Sequence, residues 1–266
     1  MKQRVISAII ALGIFIPLFI IGGTPFNIFI YILSIIGLKE FLDIKKTRKE
    51  LPNFIMFISY IVLTLFVLTN ISNTELVYSL DYRIIAGLFL VFTIPAVLYH
   101  DRSLYSIVDS FYLIGGIFFL GISFSLVILL RTIDLNLILY LFLITTMTDT
   151  YAYLVGMLIG KHKLIEEVSP KKTWEGTIGG TIAGVFIGTC FYVTVIESAM
   201  PIYAVILMSL FLSLLGQFGD LFFSAVKRYY GKKDFSNIMP GHGGILDRLD
   251  SIIFVILGFM FFIPII

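Results

Sequence analysis

Long uninterrupted apolar runs constrain the fold of this chain more than any other feature. A helix needs about 20 mainly apolar residues to cross the hydrocarbon of a bilayer. Charged residues make up 14% of the chain and hydrophobic residues 59%, whereas soluble domains carry roughly 25% and 45–50%. The runs also lack the strand-like alternation of a membrane β-barrel. We therefore predict an all-α, polytopic transmembrane protein of about nine helices, near Val5–Ile21, Asn27–Leu42, Phe54–Leu68, Ile84–Val97, Leu104–Leu129, Leu135–Leu158, Thr177–Ile196, Ile202–Val226 and Leu249–Ile265.

The basic residues predict how these helices are oriented. If the amino terminus is cytoplasmic, the cytoplasmic segments hold 17 of the 19 lysines and arginines, and only Arg83 and Arg131 fall outside. Such a bias in short loops sets the orientation of membrane proteins. We expect the amino terminus in the cytoplasm and the carboxyl terminus on the far side. The first apolar run is long and has no small-residue cleavage site after it, which favours a retained helix over a cleaved signal.

Polar residues at membrane depth divide the chain into two parts. Residues 1–130 contain apolar runs and short loops, which indicate a membrane scaffold. Residues 131–266 carry acids in almost every helix and are predicted to form the catalytic region, with cytoplasmic loops at 160–174 and 227–247. The net charge of +2 gives no reason to expect a nucleic-acid partner. The lone Cys190 excludes an intrachain disulfide.

Four aspartates lie within or at the ends of predicted helices in this second part. An acid at the centre of a membrane helix costs about 2.5–3.5 kcal/mol, so it needs a partner or a role. Asp220 shares a helical stripe with Ser224 and Lys227, and Asp247 shares one with Asp250. Together with Asp149, these acids are predicted to converge near the cytoplasmic side, where hard oxygen ligands suit Mg²⁺. Simple neutralisation by neighbours, such as Asp247 by Arg248 or Asp234 by Lys233, is the alternative.

Two basic segments complement the acids. The first places a Ser169-Pro170 turn signal before Lys171 and Lys172. The second contains Pro240-Gly-His-Gly-Gly244 ahead of a predicted helix start, where free backbone N–H groups favour an anion such as phosphate. His242 in that segment is predicted to be a general base or a loop hydrogen-bond donor. Attraction to anionic lipid is the alternative explanation for such basic loops. The surrounding charge comes from Lys227, Arg228, Lys232 and Lys233.

Glycines recur at every fourth position from 176 to 188. This pattern is typical of helix faces that pack closely in membranes, so we predict a packing role for these glycines. Trp174, just before them, is interpreted as an interfacial anchor.

The second basic segment resembles the carboxyl-terminal motif of the phosphatidate cytidylyltransferases (CDP-diacylglycerol synthases). Met239 departs conservatively from that pattern, which usually has Leu, Ile or Phe there. The segments around Asp149 and around Ser169-Pro-Lys-Lys also look like those of the family. The matching positions in the motif, with spacing intact over residues 224–250, are Ser224, Lys227, Arg228, Lys233, Asp234, Ser236, Pro240, His242, Gly243, Gly244, Asp247, Arg248 and Asp250.

The resemblance implies a reaction in which CTP and phosphatidic acid give CDP-diacylglycerol and pyrophosphate. It also implies phospholipid biosynthesis at the cytoplasmic (inner) membrane, an active site facing the cytoplasm, Mg²⁺ with a second cation left open, and a homodimer. The expected metal ligands are Asp220 and Asp247, with Asp250 and Asp149 as secondary candidates. The expected catalytic residues are Asp220, Asp247, Lys227, Arg228 and His242. The expected substrate-binding residues are Ser224, Lys171, Lys172, Ser169, Lys233, Asp234, Gly243, Gly244 and Arg248.

Two other functions remain open at this point. A CTP-dependent polyprenol kinase would also combine a cytidine nucleotide with a membrane site, but it would transfer the γ-phosphoryl group to an alcohol. A transporter or channel would also use intramembrane acids, but it predicts acids spread across the membrane thickness. The alcohol-phosphotransferases are disfavoured because the Asp-Gly and Ala-Arg spacing associated with them is absent from the sequence.

Overall fold

The computed structural model describes residues 2–71, 81–99, 101–196, 199–239, 241 and 243–263. Nine helices and two short strands lie within this described part, which confirms the predicted all-α class. The helices are α1 (Lys2–Ile21), α2 (Gly23–Lys46), α3 (Asn53–Ile71), α4 (Tyr82–Leu98), α5 (Ile107–Ile133), α6 (Leu135–Ile159), α7 (Trp174–Val195), α8 (Ile202–Tyr229) and α9 (Leu246–Phe259). The strands are β1 (Lys163–Ile165) and β2 (Ser169–Thr173).

Five helices of the described part are long and apolar enough to cross a membrane: α2, α5, α6, α7 and α8. Described stretches of α3 and α4 are apolar but shorter. The helix α9 has 14 residues, which at 1.5 Å per residue spans about 21 Å. It ends at Phe259, earlier than the predicted Ile265, because the chain continues in turns in which Phe261 and Phe262 bond to carbonyls three residues back. Because several of its helices are long and apolar enough to cross a membrane, the protein is a multi-pass membrane protein.

The chain forms two compact units. The first contains Met1–Ile133 and Asp234–Leu246. Within it, α2, α3 and α4 all pack against α5. At one end of this bundle Asp109 of α5 is buried and forms ion pairs with Lys45, at 2.6 Å, and with Lys49.

The functional division of the chain into a scaffold and a catalytic region stays a prediction.

The second unit contains Asp134–Lys233 and Asp247–Ile266. Its centre is the pair α6 and α7, in which the predicted glycine face of α7 lies directly against α6. A Cβ at Gly176 would lie 2.5 Å from the carbonyl oxygen of Ala152, and one at Gly180 would lie 2.5 Å from that of Thr148. Real Cβ atoms do not approach a backbone so closely. The predicted packing role of these glycines is therefore confirmed.

Candidate active site

Hydrogen bonds between helices fix the orientation of α8 in the second unit. Ser209, Ser213 and Gln217 follow one another at intervals of four residues and are all buried. Ser209 bonds to Tyr140 at 2.7 Å, Ser213 bonds to Thr148 at 2.8 Å, and Gln217 donates to Thr181 at 2.8 Å. Buried polar groups in a membrane must find partners inside the protein. These bonds therefore fix how α8 is rotated against α6 and α7, just before the predicted site residue Asp220.

Asp220 comes one turn after this ladder and is partly accessible, with 31% of its side chain exposed. Its Oδ2 atom lies 2.7 Å from the Nζ atom of Lys172. On its other oxygen it accepts a hydrogen bond of 3.3 Å from Ser224, one helical turn further along α8. Of the predicted stripe of Asp220, Ser224 and Lys227, the first two are therefore in contact. The ion pair of Asp220 is formed with Lys172, whereas Lys227 pairs with Asp247.

A β-hairpin places Lys172 beside Asp220. The segment read as a loop from sequence forms two antiparallel strands, β1 and β2. Successive side chains of a strand point to opposite sides, so Lys171 is exposed while Lys172 is partly buried. Glu175 stabilises the end of the hairpin opposite its turn. It accepts hydrogen bonds from the backbone N–H groups of Lys161 and His162 and contacts the His162 ring at 2.6 Å.

Asp247 forms the second ion pair of the site. Its Oδ1 atom accepts a hydrogen bond of 2.7 Å from the Nζ atom of Lys227 in α8. Only 4% of the Asp247 side chain and 10% of the Lys227 side chain are exposed. The structure thus pairs this acid with Lys227, which lies in another helix. This buried pair joins α8 to the beginning of α9.

Asp149 and Asp250 complete a group of carboxylates around Asp220. Each of the two repels the other and also Asp220. The helices α8 and α9 approach closely here because Gly219 has no side chain, and a Cβ there would lie 2.6 Å from the carbonyl oxygen of Asp250. The four predicted acids and two lysines therefore gather in one unit.

The fit of this group to a divalent cation rests on its oxygen donors. Within the described residues, no three His, Cys, Asp or Glu side chains stand close enough to hold a metal ion. Mg²⁺, however, is usually bound by one or two carboxylates together with substrate phosphates and waters. The mutual repulsion of Asp149, Asp220 and Asp250 is what a bound cation would relieve. The residues suit Mg²⁺, which stays a prediction.

Most of the other predicted site residues are exposed. Arg228 is exposed and donates to the carbonyl oxygens of Val168, at 3.4 Å, and Lys232, at 3.3 Å. It therefore links the end of α8 to the hairpin connection. Ser169 begins β2 and is partly buried. The remaining exposed members of the predicted set are Lys171, Lys233, Asp234 and Arg248.

The glycine-containing segment before α9 forms a closed turn in the first unit. Met239 and Gly243 exchange two backbone hydrogen bonds, at 2.9 and 3.1 Å. Gly241 and Gly243 have φ angles of +79° and +86°, which side-chain-bearing residues rarely adopt. The predicted general base or donor His242 lies outside the described residues, so its role stays a prediction.

Comparison with known proteins identifies the family. The model of the cytidylyltransferase family matches residues 2–266. The chain belongs to this family. It is therefore an enzyme, a nucleotidyltransferase, and the resemblance drawn from residues 224–250 is confirmed.

Relatives of this cytidylyltransferase align along almost its whole length. It is 37% identical over 257 residues to the phosphatidate cytidylyltransferase of Staphylococcus haemolyticus strain JCSC1435, covering 96% of each chain. The proteins of the same name from Staphylococcus epidermidis strain RP62A and Staphylococcus aureus strain COL are 36% and 37% identical, again over 96% of each chain. The similarity thus includes both units.

One acid of this cytidylyltransferase was missed by the sequence analysis. Glu40 in α2 is 1% exposed and accepts three hydrogen bonds from the segment before α9. A signal was present, because Glu40 lies inside the predicted second apolar run, where an acid needs a partner or a role.

Proposed function

We propose that this enzyme is a phosphatidate cytidylyltransferase, which transfers CMP from CTP to phosphatidic acid and releases pyrophosphate. The names of the aligned relatives support this substrate pair. The arrangement of acids and lysines in the second unit supports chemistry on phosphate groups. The multi-pass fold supports a lipid substrate whose acyl chains stay in the bilayer.

The single observation that carries the proposal is the environment of Lys172. Its ammonium nitrogen is inaccessible to solvent and makes no aligned hydrogen bond within the described residues, although it lies 2.7 Å from Asp220. An ammonium group carries three N–H donors, and an unsatisfied buried donor is costly. A phosphate oxygen beside the Asp220–Lys172 pair would satisfy these donors.

The proposed reaction is a direct in-line displacement. A phosphate oxygen of phosphatidic acid attacks the α-phosphorus of CTP, a new P–O bond forms, and the bond to the β-phosphate oxygen breaks as pyrophosphate leaves. A phosphate monoester is largely ionised at neutral pH because its second pKa is about 6. The nucleophile therefore needs no strong base, and the enzyme contributes positioning and charge neutralisation.

Each residue of the group has a proposed role in this reaction. Asp220 and Asp247 would hold Mg²⁺, with Asp250 and Asp149 as secondary ligands and a second cation left open. The ion would neutralise charge on the triphosphate. Lys172 and Lys227 neutralise phosphate oxygens, and Ser224 donates a hydrogen bond. Further substrate contacts within the second unit are proposed for Ser169, Arg228, Lys233 and Arg248, while the exposed Lys171 is not assigned one. The contacts that the resemblance implies for Asp234, His242, Gly243 and Gly244 stay predictions.

The proposal includes an orientation and an assembly. The distribution of lysines and arginines supports an active site on the cytoplasmic face of the inner membrane, with the amino terminus in the cytoplasm. A homodimer is proposed from the family resemblance alone. Cysteine labelling from the two sides of the membrane and the mass of the detergent-solubilised protein test these two points.

Following the label of α-³²P-CTP tests the proposed reaction. With purified enzyme in detergent, phosphatidic acid and Mg²⁺, we expect the label to enter the lipid fraction and unlabelled pyrophosphate to appear in equal amount. Omitting phosphatidic acid should abolish both signals. Label that stays in soluble CDP would instead indicate transfer of the γ-phosphoryl group to an alcohol, and intact CTP with well-folded enzyme would contradict the proposal.

The hairpin predicts different effects for two neighbouring lysines. Lys172→Met should lower kcat/KM by about 10²-fold, because a charge aimed at the reacting phosphates is lost. Lys171→Met should change it by less than about threefold, since an exposed charge contributes little. Steady-state kinetics of the two variants with equal amounts of folded enzyme make the comparison. Equal losses in both variants would contradict the assignment of Lys172 to the phosphates.

A further inference from the structure

Glu40 of α2 is a buried acid that the proposed reaction does not use. Its Oε1 atom accepts a hydrogen bond of 2.6 Å from the hydroxyl of Ser236 and one of 2.8 Å from the backbone N–H of Ile245. Its Oε2 atom accepts one of 2.8 Å from the backbone N–H of Leu246. Both carboxylate oxygens are therefore engaged, and all three donors come from one segment of the first unit, residues 236–246.

These bonds hold both ends of that segment at one point. Ser236 lies before the closed turn of Met239 and Gly243, while Ile245 and Leu246 lie after it. A single carboxylate thus closes the whole segment into a loop, which we call the glycine loop (residues 236–246). Joining the two ends of a loop costs conformational entropy. The three bonds to Glu40 already hold these ends together in the folded protein, so the anchor preorganises the segment.

The Glu40 carboxylate also lies at the beginning of α9. The N–H groups of Ile245 and Leu246 would be unsatisfied at a helix start, and a negative charge there is favourable to the helix dipole. Gly244 lets the carboxylate approach, because a Cβ at that position would clash with both oxygens of Glu40. Any larger residue at position 244 would therefore push the Glu40 carboxylate away from the start of α9.

We propose that Glu40 is a positioning residue that fixes the glycine loop and the backbone at the start of α9, at Ile245 and Leu246. Asp247 directly follows Leu246 in the same helix. The importance of this placement for activity rests on the proposed function. Displacement of a reacting group by about 1 Å can lower a rate by about 10²-fold, so loosening the loop should reduce turnover more than substrate affinity.

Hydrogen–deuterium exchange tests the anchor independently of activity. In Glu40→Ala, peptides covering residues 236–246 of the purified protein should exchange at least about tenfold faster, because charge-assisted hydrogen bonds to two backbone N–H groups are lost. Glu40→Gln keeps the shape and one carbonyl acceptor, so it should show a smaller increase. Asp43→Asn, at an exposed position of the same helix, is the matched control and should exchange like the wild type. Unchanged exchange of the loop in both Glu40 variants would overturn the proposal.

Kinetics separate positioning from a purely structural role. Per folded molecule, kcat should fall by about 10- to 100-fold in Glu40→Ala, with KM for CTP changed by less than about threefold and partial recovery in Glu40→Gln. If only the yield or the melting temperature falls while kcat stays within about threefold, Glu40 is merely structural and the proposal is wrong. If the wild type transfers no CMP, the proposed function fails, and the exchange measurement alone decides the anchor. Should Glu40→Ala not fold, Glu40→Gln carries both tests.

Discussion

Asp220→Asn is expected to lower kcat/KM for cytidylyl transfer by about 10²–10³-fold, the range found when one preorganised electrostatic group is removed from an active site. The Asn side chain keeps the shape and can still accept the hydrogen bond from Ser224, but it no longer carries the charge that balances Lys172 and would bind Mg²⁺. Asp247→Asn should show a loss of the same size, because Lys227 would remain buried without its partner. Transfer of the label from α-³²P-CTP to lipid over a range of Mg²⁺ concentrations measures both variants.

Glu166→Gln is the control for these two substitutions. Glu166 lies in the same unit, in the turn of the hairpin, and its side chain is exposed, so this variant should keep wild-type activity within about threefold. Elution as a single species in detergent and an unchanged melting temperature would show that the aspartate variants are folded. An Asp220→Asn enzyme that retains more than about a tenth of wild-type activity would contradict the assignment of Asp220 to the reacting phosphates.

Gly180→Leu is expected to prevent stable folding of the second unit. The added Cβ would lie 2.5 Å from the carbonyl oxygen of Thr148 and 2.9 Å from the backbone nitrogen of Ala152. Neither atom can move without separating α6 from α7, so the cost should exceed the roughly 1–3 kcal/mol typical of an overpacked core. Since proteins are stable by only about 5–15 kcal/mol, the variant should aggregate or melt at a much lower temperature in detergent.

Gly87→Leu provides the matched control for this substitution. Gly87 is also a glycine inside an apolar helix, but a Cβ there meets nothing within 4 Å. Its melting temperature should therefore stay close to that of the wild type. Monodisperse, fully stable Gly180→Leu protein would contradict the close contact of α6 and α7. Thermal unfolding in detergent, monitored by size exclusion after heating, measures both proteins.

Patterns that depend on local spacing could be predicted from the sequence. The length of the apolar runs predicted the helices because each run must saturate its own backbone in lipid. The four-residue period of glycines predicted the packed face of α7, and the spacing of Asp220 and Ser224 predicted their contact, because residues four apart share one helix face. The ends of helices were harder to predict from the sequence, as the early end of α9 at Phe259 shows.

Contacts between distant parts of the chain could not be predicted in this way. From the sequence, Lys171 and Lys172 were predicted to have the same role, because strand β2 was not predicted. In that strand the side chain of Lys171 is exposed, whereas that of Lys172 meets Asp220. The sequence also did not reveal that Asp247 forms an ion pair with Lys227, 20 positions away. In each case the partner is chosen by the way that helices and hairpin pack.

The sequence by itself determined the membrane class, the approximate places of the helices in the described part of the chain, and the family, because hydrophobic run lengths and the spacing of fixed polar residues are local properties of the chain. Only the tertiary structure decided which lysine meets which acid, and that Glu40 closes the glycine loop from 205 positions away. A hydrogen bond or an ion pair requires atoms within about 3–4 Å, and that distance depends on how α2, α8, α9 and the hairpin pack within their own units.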